Sequence, residues 1–436
     1  MAKKLIIAAH SARGFAQVAA ACGYEVIALD AFADADTQAF STLTFKLKFN
    51  YFALDTADFM RQFVEMESSV NLNEIEGFLY GSLFDDGPEL LAWVAERVRV
   101  LGNTPEVMQI AKSFEFFELL DELKITHPEV YLSEKTSHSS FPHTTLQVPE
   151  RLANRSALVV RKRKSIFFES VFNFKMDSRF RGNDKVNHTE GMREGALAYE
   201  VGGNWLSKRL GGTGGTHIKP ATDNSSGDYF QRKINGKPIS MLFVADGKTA
   251  QLIGFNEQFI APTNKMPYRF AGAVGGLILP ENIQQQFEHA AQQLTIALGL
   301  RGINSLDAIF AKDNLTGETL CILELNPRLS ATFHLYPNLL TAHLQGCAGE
   351  LIDIELPANT SNTQLILYAD NPVHIAADFA WPNWVADIPA VIDGDSSVII
   401  QKDAPICTVQ ATANDAETAS TLVLQRAKNL RELLND

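Results

Sequence analysis

Apolar and polar positions in the first hundred residues alternate between two periods. Short apolar runs at Lys4–Ala8, Glu25–Leu29, Gly77–Tyr80 and Val100–Leu101 have the length of buried strands. Between them the period lengthens. A helix is expected after the turn His10-Ser-Ala-Arg-Gly14, running to about Ala21 and closed by Gly23-Tyr24. Pro88 stands near the start of another, running through Leu90–Val98. This strand–helix–strand rhythm predicts a Rossmann-like, mostly parallel sheet with helices on both faces.

The pattern then changes. Helices are expected at Glu106–Ile110 and Ser113–Leu123, and strands at Trp205–Arg209, Asp228–Ile234 and Ser240–Val244. Asn235-Gly236 between the last two reads as a hairpin turn. Ile283, Phe287, Ala290, Leu294 and Ala297 recur at helical spacing in Glu281–Leu298. Strands at Asn304–Ala311 and Thr319–Leu325 flank the turn Asp313–Gly317. The last eighty residues suggest strands near Leu365–Tyr368 and Val398–Gln401 and a helix at Ala416–Leu434. The expected fold class is therefore α/β. It begins with a Rossmann-like unit at 1–103. A central α+β fold at 104–355 follows, with an insert at about 160–198, and then a small α+β unit at 356–436.

Composition narrows the function. The chain has 436 residues, ordinary globular apolar content and a formal net charge of −13. That length suggests two or more cores, and the acidic balance argues against nucleic acid as a general partner. Only the insert departs from it: residues 151–196 carry eleven Lys/Arg against five Asp/Glu. The stretch Met176–Asp184 has no period of either kind and resembles a translated dispersed repeat. It reads as a solvated loop, or as a nucleic-acid arm in which Phe174 and Phe180 interleave with basic residues. Cys22, Cys321, Cys347 and Cys407 lie far apart and form no CxxC pair, which fits a reducing compartment. No apolar run has the length of a membrane helix or a signal sequence. A cytoplasmic protein without a membrane partner is expected.

The first turn lacks the G-x-G-x-x-G spacing that lets a backbone approach a pyrophosphate, so no dinucleotide site is expected there. Asp30, at the end of the second strand, is read as a loop aspartate rather than a ribose ligand. Chemistry concentrates further on. Glu324 and Asn326 are two apart on one strand and share a face. If the connecting loop is centred between Leu315 and Thr316, Asp307 lies directly opposite Glu324. Facing carboxylates repel, and a divalent cation reverses the sign of that interaction. Two carboxylates and an amide are hard oxygen donors suited to Mg²⁺. The other reading is two solvated acids on a hairpin. Upstream, Lys208 precedes Gly211, Gly212, Thr213, Gly214 and Gly215, a run able to fold over phosphates. It is not a Walker A loop, since no Lys-Ser/Thr follows the glycines.

Together these residues resemble the ATP-grasp superfamily, which includes biotin carboxylase and D-alanine–D-alanine ligase. The order matches over nearly the whole chain outside the insert. The resemblance implies that Lys112, after Gly102-Asn103, and Lys208 contact nucleotide phosphate beneath the glycine flap. It implies that Tyr229–Ile234 borders the adenine, with Gln231 where a glutamate is common and Ile234 beside it. Asp307, Glu324 and Asn326 match the metal ligands, and Arg328 of Glu-x-Asn-Pro-Arg matches an arginine that faces the acyl phosphate. The implied cofactors are ATP and Mg²⁺, with Mn²⁺ as an alternative. The implied activity is an ATP-dependent ligase joining a small-molecule carboxylate to an amine, with Lys208 and Arg328 in catalytic roles. A homodimer is compatible with the family. The nearest likeness is to ligases related to biotin carboxylase, some found among one-carbon, pterin-type cofactor genes. The second substrate is expected at the ends of the N-terminal strands, where Ser82 and Asp85 are candidate wall residues. A nucleotide-binding regulatory protein without ligase turnover is the alternative.

Overall fold

The computed structural model describes residues 3–50, 53–133, 204–222, 225–313, 317–391 and 396–435. The insert at about 160–198 lies outside the described residues. The description that follows concerns the unit formed by residues 1–133 and 203–436.

Strands Leu43–Lys46, Glu25–Asp30, Lys4–Ala9 and Ile75–Tyr80 form a parallel sheet in that order. Val100 adds an isolated parallel bridge to Phe78. Lys4–Ala9 is buried on both faces past its first residue, which is why its sequence is a continuous apolar run. On one face, Phe59 and Phe63 of helix Thr56–Ser69 pack on Phe78 and Phe84. The other face carries Leu5, Ile7 and Phe15 into a core shared with Leu242, Val244, Ile303 and Phe333. That shared core joins the N-terminal sheet to the central one.

The central sheet has eight antiparallel strands. In order they are Gly317–Asn326, Arg301–Asp313, Lys237–Asp246, Ala250–Ile260, Phe270–Gly275, Ser361–Tyr368, Pro405–Ala413 and Val385–Ala386. Lys237–Asp246 shows the two-residue period of a buried strand. Leu242 and Val244 face the N-terminal sheet, while Met241 and Phe243 face a core built with Phe287 and Leu294 of helix Glu281–Leu298. Gly299 ends that helix at φ +66, a left-handed cap that glycine adopts without a Cβ penalty. The last three strands of the sheet come from the C-terminal segment, covered by helix Ala416–Asn435.

A second antiparallel sheet runs Val130–Leu132, Tyr229–Arg232, Trp205–Lys208, Lys219–Pro220. This corrects the expected hairpin at Asn235-Gly236. Tyr229–Arg232 already has partners on both sides, and Lys237–Asp246 is flanked by Arg301–Asp313 and Ala250–Ile260. Neither strand has an edge free for the other. Asn235-Gly236 instead carries the chain from the small sheet to the large one, with Gly236 close against the Phe310 carbonyl.

Candidate active site

Strands Arg301–Asp313 and Gly317–Asn326 carry the acidic face. Near their turn the register is Asp313↔Gly317 and Ala308↔Ile322, and one residue more separates the partners at Asp307↔Glu324 and Ser305↔Asn326. The extra residue is Leu323, a β-bulge. It sets Asp307 opposite Glu324 and keeps Glu324 and Asn326 on one face. Burial first, and the Glu324 charge second, push the Asp307 carboxyl up to about 7. Gln258 Nε2 donates to Asp307 Oδ1 at 3.0 Å, and Asn326 Nδ2 donates to Oδ2 at 3.1 Å.

Lys112 closes helix Pro105–Ala111 rather than opening the next helix. Its ammonium donates to Glu324 Oε1 and to Asn326 Oδ1 (2.7 Å), and lies 3.2 Å from Asp85 Oδ2. Burial opposes ionisation of Glu324, but Lys112 outweighs it and holds that carboxyl below the usual range. The lysine expected at phosphate therefore rests on the acidic face here.

Asp85 is 1% exposed, so it cannot form an open wall for a second substrate as the sequence suggested. Arg328 clamps it from two directions, Nε to Oδ1 at 3.0 Å and Nη2 to Oδ2 at 2.7 Å. Arg328 Nη2 also donates to Asn326 Oδ1 at 2.9 Å. Burial opposes the Asp85 charge, but Arg328 and Lys112 hold its carboxyl below the ordinary value. This pairing across 243 residues had no local signal in the sequence. Asn103 fixes the neighbouring backbone, with Nδ2 donating to the Pro327 carbonyl at 3.0 Å and Oδ1 accepting from Arg301 N–H at 2.8 Å.

Lys208 and Gln231 project from the small sheet. Lys208 Nζ donates to Gln231 Oε1 at 2.9 Å, and both side chains are buried. Desolvation lowers the Lys208 pKa, against the pull of Glu324 and Asp307. Among the described residues Gln231 Nε2 has no partner, and neither has His217 Nδ1. Buried donors and acceptors are rarely left this way without a ligand or water to meet them. Burial, then Lys208, push the His217 imidazole down to about 4, so it is neutral at pH 7. Ile234 lies beyond strand Tyr229–Arg232 and is half-buried.

Of these groups Lys112, His217 and Glu324 border a narrow cleft with about 30 Å³ of free volume. Phe116, Phe117, Leu210, Tyr229 and Leu323 give it an apolar side; Lys112, Arg209, His217 and Glu324 give it a charged side. Gly211 and Gly212 also line it. Gly211 has φ +67, and a Cβ there would stand 2.6 Å from the Asp85 carbonyl. Thr213 accepts the Thr216 hydroxyl within the turn. Gly214 and Gly215 lie toward another strand: Gly214 O accepts from Phe270 N–H at 2.8 Å, and Gly215 packs on the Tyr268 carbonyl. The sequence pointed to Lys112, Glu324 and Tyr229 but missed Arg209 and the pair Phe116 and Phe117, which sit on a helix read only for its apolar spacing. Ser82 follows strand Ile75–Tyr80, where its hydroxyl lies 3.1 Å from His10 Nδ1.

The donor sets suit two kinds of ligand. An apolar side beside cations and unpartnered polar atoms has the chemistry that suits the base and phosphates of a nucleotide. Asp307, Glu324 and the Asn326 amide oxygen fit a hard divalent cation. Among the described residues no three His, Cys, Asp or Glu side chains gather as a metal cage. No helix among them is long and apolar enough to cross a membrane.

Residues 192–332 match a family model described as an ATP-grasp domain. No curated protein matches the chain in sequence. Its fold is similar to the biotin carboxylase–βγ-ATP complex from Campylobacter jejuni, with TM-score 0.61 and 11% identity over 97% of this chain and 90% of that one. It is also similar to N5-carboxyaminoimidazole ribonucleotide synthetase from Thermotoga maritima, with TM-score 0.56 and 13% identity over 98% of each chain. Phosphoribosylamine–glycine ligase from Thermotoga maritima gives TM-score 0.59 and 14% identity over 98% of this chain and 96% of that one.

Proposed function

We propose, from the ATP-grasp domain match over residues 192–332 and the fold shared with biotin carboxylase, that the chain is an ATP-grasp protein and an ATP- and Mg²⁺-dependent ligase joining a carboxylate to an amine. The observation that carries this reading is the convergence of Lys112, Lys208, Arg328, Asp307, Glu324 and Asn326 around one network beside an amphipathic cleft.

In the proposed reaction a substrate carboxylate oxygen attacks the γ-phosphorus of ATP. The bond to the β–γ bridging oxygen breaks, giving an acyl phosphate and ADP. The amine then attacks the acyl carbon, the carbon–oxygen bond to phosphate breaks, and the amine proton passes to solvent. Phosphoryl transfer depends on positioning and charge neutralisation more than on covalent help from the protein. Lys208 sits in a buried, low-dielectric position, so its charge acts strongly on nearby phosphoryl oxygens. Arg328 has its Nε and Nη2 engaged by Asp85, which leaves Nη1, now on the Leu329 carbonyl at 3.4 Å, as the donor freest to turn to substrate. Gln231 Nε2 and His217 Nδ1 offer unpaired polar atoms to the nucleotide. Asp307, Glu324 and Asn326 would hold Mg²⁺, whose charge offsets that of the phosphate oxygens.

The finer assignment, to one-carbon or pterin-type cofactor biosynthesis, rests on the sequence resemblance to ligases related to biotin carboxylase. ADP release over a panel of amines with amino acids and pterin-like acids tests both levels. The ligase reading requires ADP that depends on both substrates and disappears in Glu324→Gln with the fold intact by circular dichroism. Binding of ATP without any substrate-dependent release favours the regulatory alternative.

A further inference from the structure

The acidic face has no more carboxylates than cations before any metal is added. Three carboxylates, Asp85, Asp307 and Glu324, stand against Lys112, Lys208 and Arg328. One of the cations does more than balance the count. The Lys112 ammonium donates to Glu324 Oε1 and to Asn326 Oδ1, two of the three groups suited to ligate a divalent ion. Asp85 holds it from the third side at 3.2 Å, and Asp85 is in turn fixed by the Arg328 fork. A divalent ion entering alone would compete for oxygens already engaged. It would also add two positive charges to a buried group that has no surplus of negative ones.

A nucleotide changes both conditions. Its phosphates bring the negative charge that the cluster lacks, and they offer Lys112 new acceptors. An ammonium on a flexible four-carbon stem can exchange one set of oxygens for another.

We propose that Lys112 is the resident cation of the metal site, seated on Glu324 and Asn326 until a nucleotide draws it away, so that the divalent ion enters with the nucleotide and not before it. The inference rests on the Mg²⁺·ATP reading above and adds an order of loading to it.

The test uses Mn²⁺ retained by the full-length protein after equilibrium dialysis, counted by electron paramagnetic resonance, with and without a non-hydrolysable ATP analogue. Wild type is expected to hold Mn²⁺ at least tenfold more tightly with the analogue than without it. Nucleotide-free Lys112→Gln is expected to bind Mn²⁺ at least tenfold more tightly than nucleotide-free wild type. Adding Glu324→Gln should erase that gain, while Lys112→Arg, which keeps the charge, should bind as weakly as wild type. Equal nucleotide-free affinity in wild type and Lys112→Gln overturns the role of Lys112 and leaves the ligase reading standing. No gain by wild type on adding the analogue overturns the metal–nucleotide site itself, and this inference with it. Should Lys112→Gln fail to fold, Lys112→Met takes its place. The wild-type comparison needs no variant and rejects the inference if nucleotide-free protein holds Mn²⁺ as tightly as loaded protein.

Discussion

Removing Arg328 should expose how much of the molecule's stability passes through one buried ion pair. Asp85 has almost no contact with solvent, and its two oxygens take three charged contacts: two from Arg328 and one from Lys112. Arg328→Met keeps most of the side-chain volume but strands the carboxylate. Breaking a buried pair from one side costs about 3–5 kcal/mol, because the remaining charge is left without compensation. Lys112 stays 3.2 Å away, so the low end applies, about 3 kcal/mol. Asp85→Asn should cost a similar amount, since Arg328 then keeps Asn326 as its strongest remaining acceptor. The double variant removes both charges, and its cost should fall short of the sum by about 1–3 kcal/mol. Urea unfolding without nucleotide, followed by tryptophan fluorescence, measures all four proteins. Asp85 has a depressed folded pKa, so its contribution is present above the ordinary carboxylate range and lost only as pH falls through that lower value. The cycle should therefore give the same coupling at pH 6 and pH 8. Additivity within about 0.5 kcal/mol, or a single variant costing under about 1 kcal/mol, would refute the reasoning.

Three other outcomes are expected. Lys208→Ala should mainly lower kcat, and Lys112→Ala should mainly raise KM for ATP. Each loses a charge-assisted hydrogen bond of about 1.5–3 kcal/mol, roughly ten- to hundredfold in the affected constant; equal changes in both constants for both variants would reject the division. Asp30 is fully buried and accepts backbone N–H groups from Ala12, Phe32 and Ala33, yet burial pushes its carboxyl up to about 7. A raised acid contributes stability that is greatest below pH 4 and lost as pH rises through 7. Asp30→Asn should therefore cost more stability at pH 5 than at pH 8, measured by urea unfolding, and a pH-independent difference would contradict the assignment. Replacing residues 165–195 with a short Gly/Ser linker should leave the melting temperature and ATP binding nearly unchanged. Loop closure costs only about 0.6 kcal/mol per doubling of length, and a loss of ATP binding on calorimetry would show that the segment has a role.

Elements whose formation is decided locally were readable. Glu281–Leu298 has the bounds that its apolar spacing gave, because one face of it meets a single core and the glycine after it ends it. The first strand was readable because both of its faces are covered. Strands Ala250–Ile260, Phe270–Gly275 and Pro405–Ala413 were not identified. Ala250–Ile260 mixes buried and half-buried positions without a clean alternation, since Phe255, Ile253 and Phe259 join three different cores. The Asn235-Gly236 error has the same root. A turn dipeptide reports local backbone preference, whereas strand pairing is decided by which edges the rest of the sheet leaves open.

The acidic face shows how a correct placement can come from an incomplete cause. A loop centred between Leu315 and Thr316 puts Asp307 opposite Glu324 only if the register holds over the whole ladder. Near the turn the observed register is one residue shorter, and extended inward it would set Asp307 against Leu323. The bulge at Leu323 restores the pairing and places Leu323 itself in the lining of the cleft. The face is therefore made by an insertion in the ladder. Without the bulge the same sequence would set Leu323 against Asp307 and turn Glu324 to the other side of the sheet, while the motif around it would read the same. Asp85 is the complementary case. Nothing near it in sequence marks it as a partner of Arg328, and its role appears only when the N-terminal sheet and the central sheet share a core. Types and spacings of residues located the cations and acids, but which cation rests on which acid was decided by contacts between segments far apart in the chain.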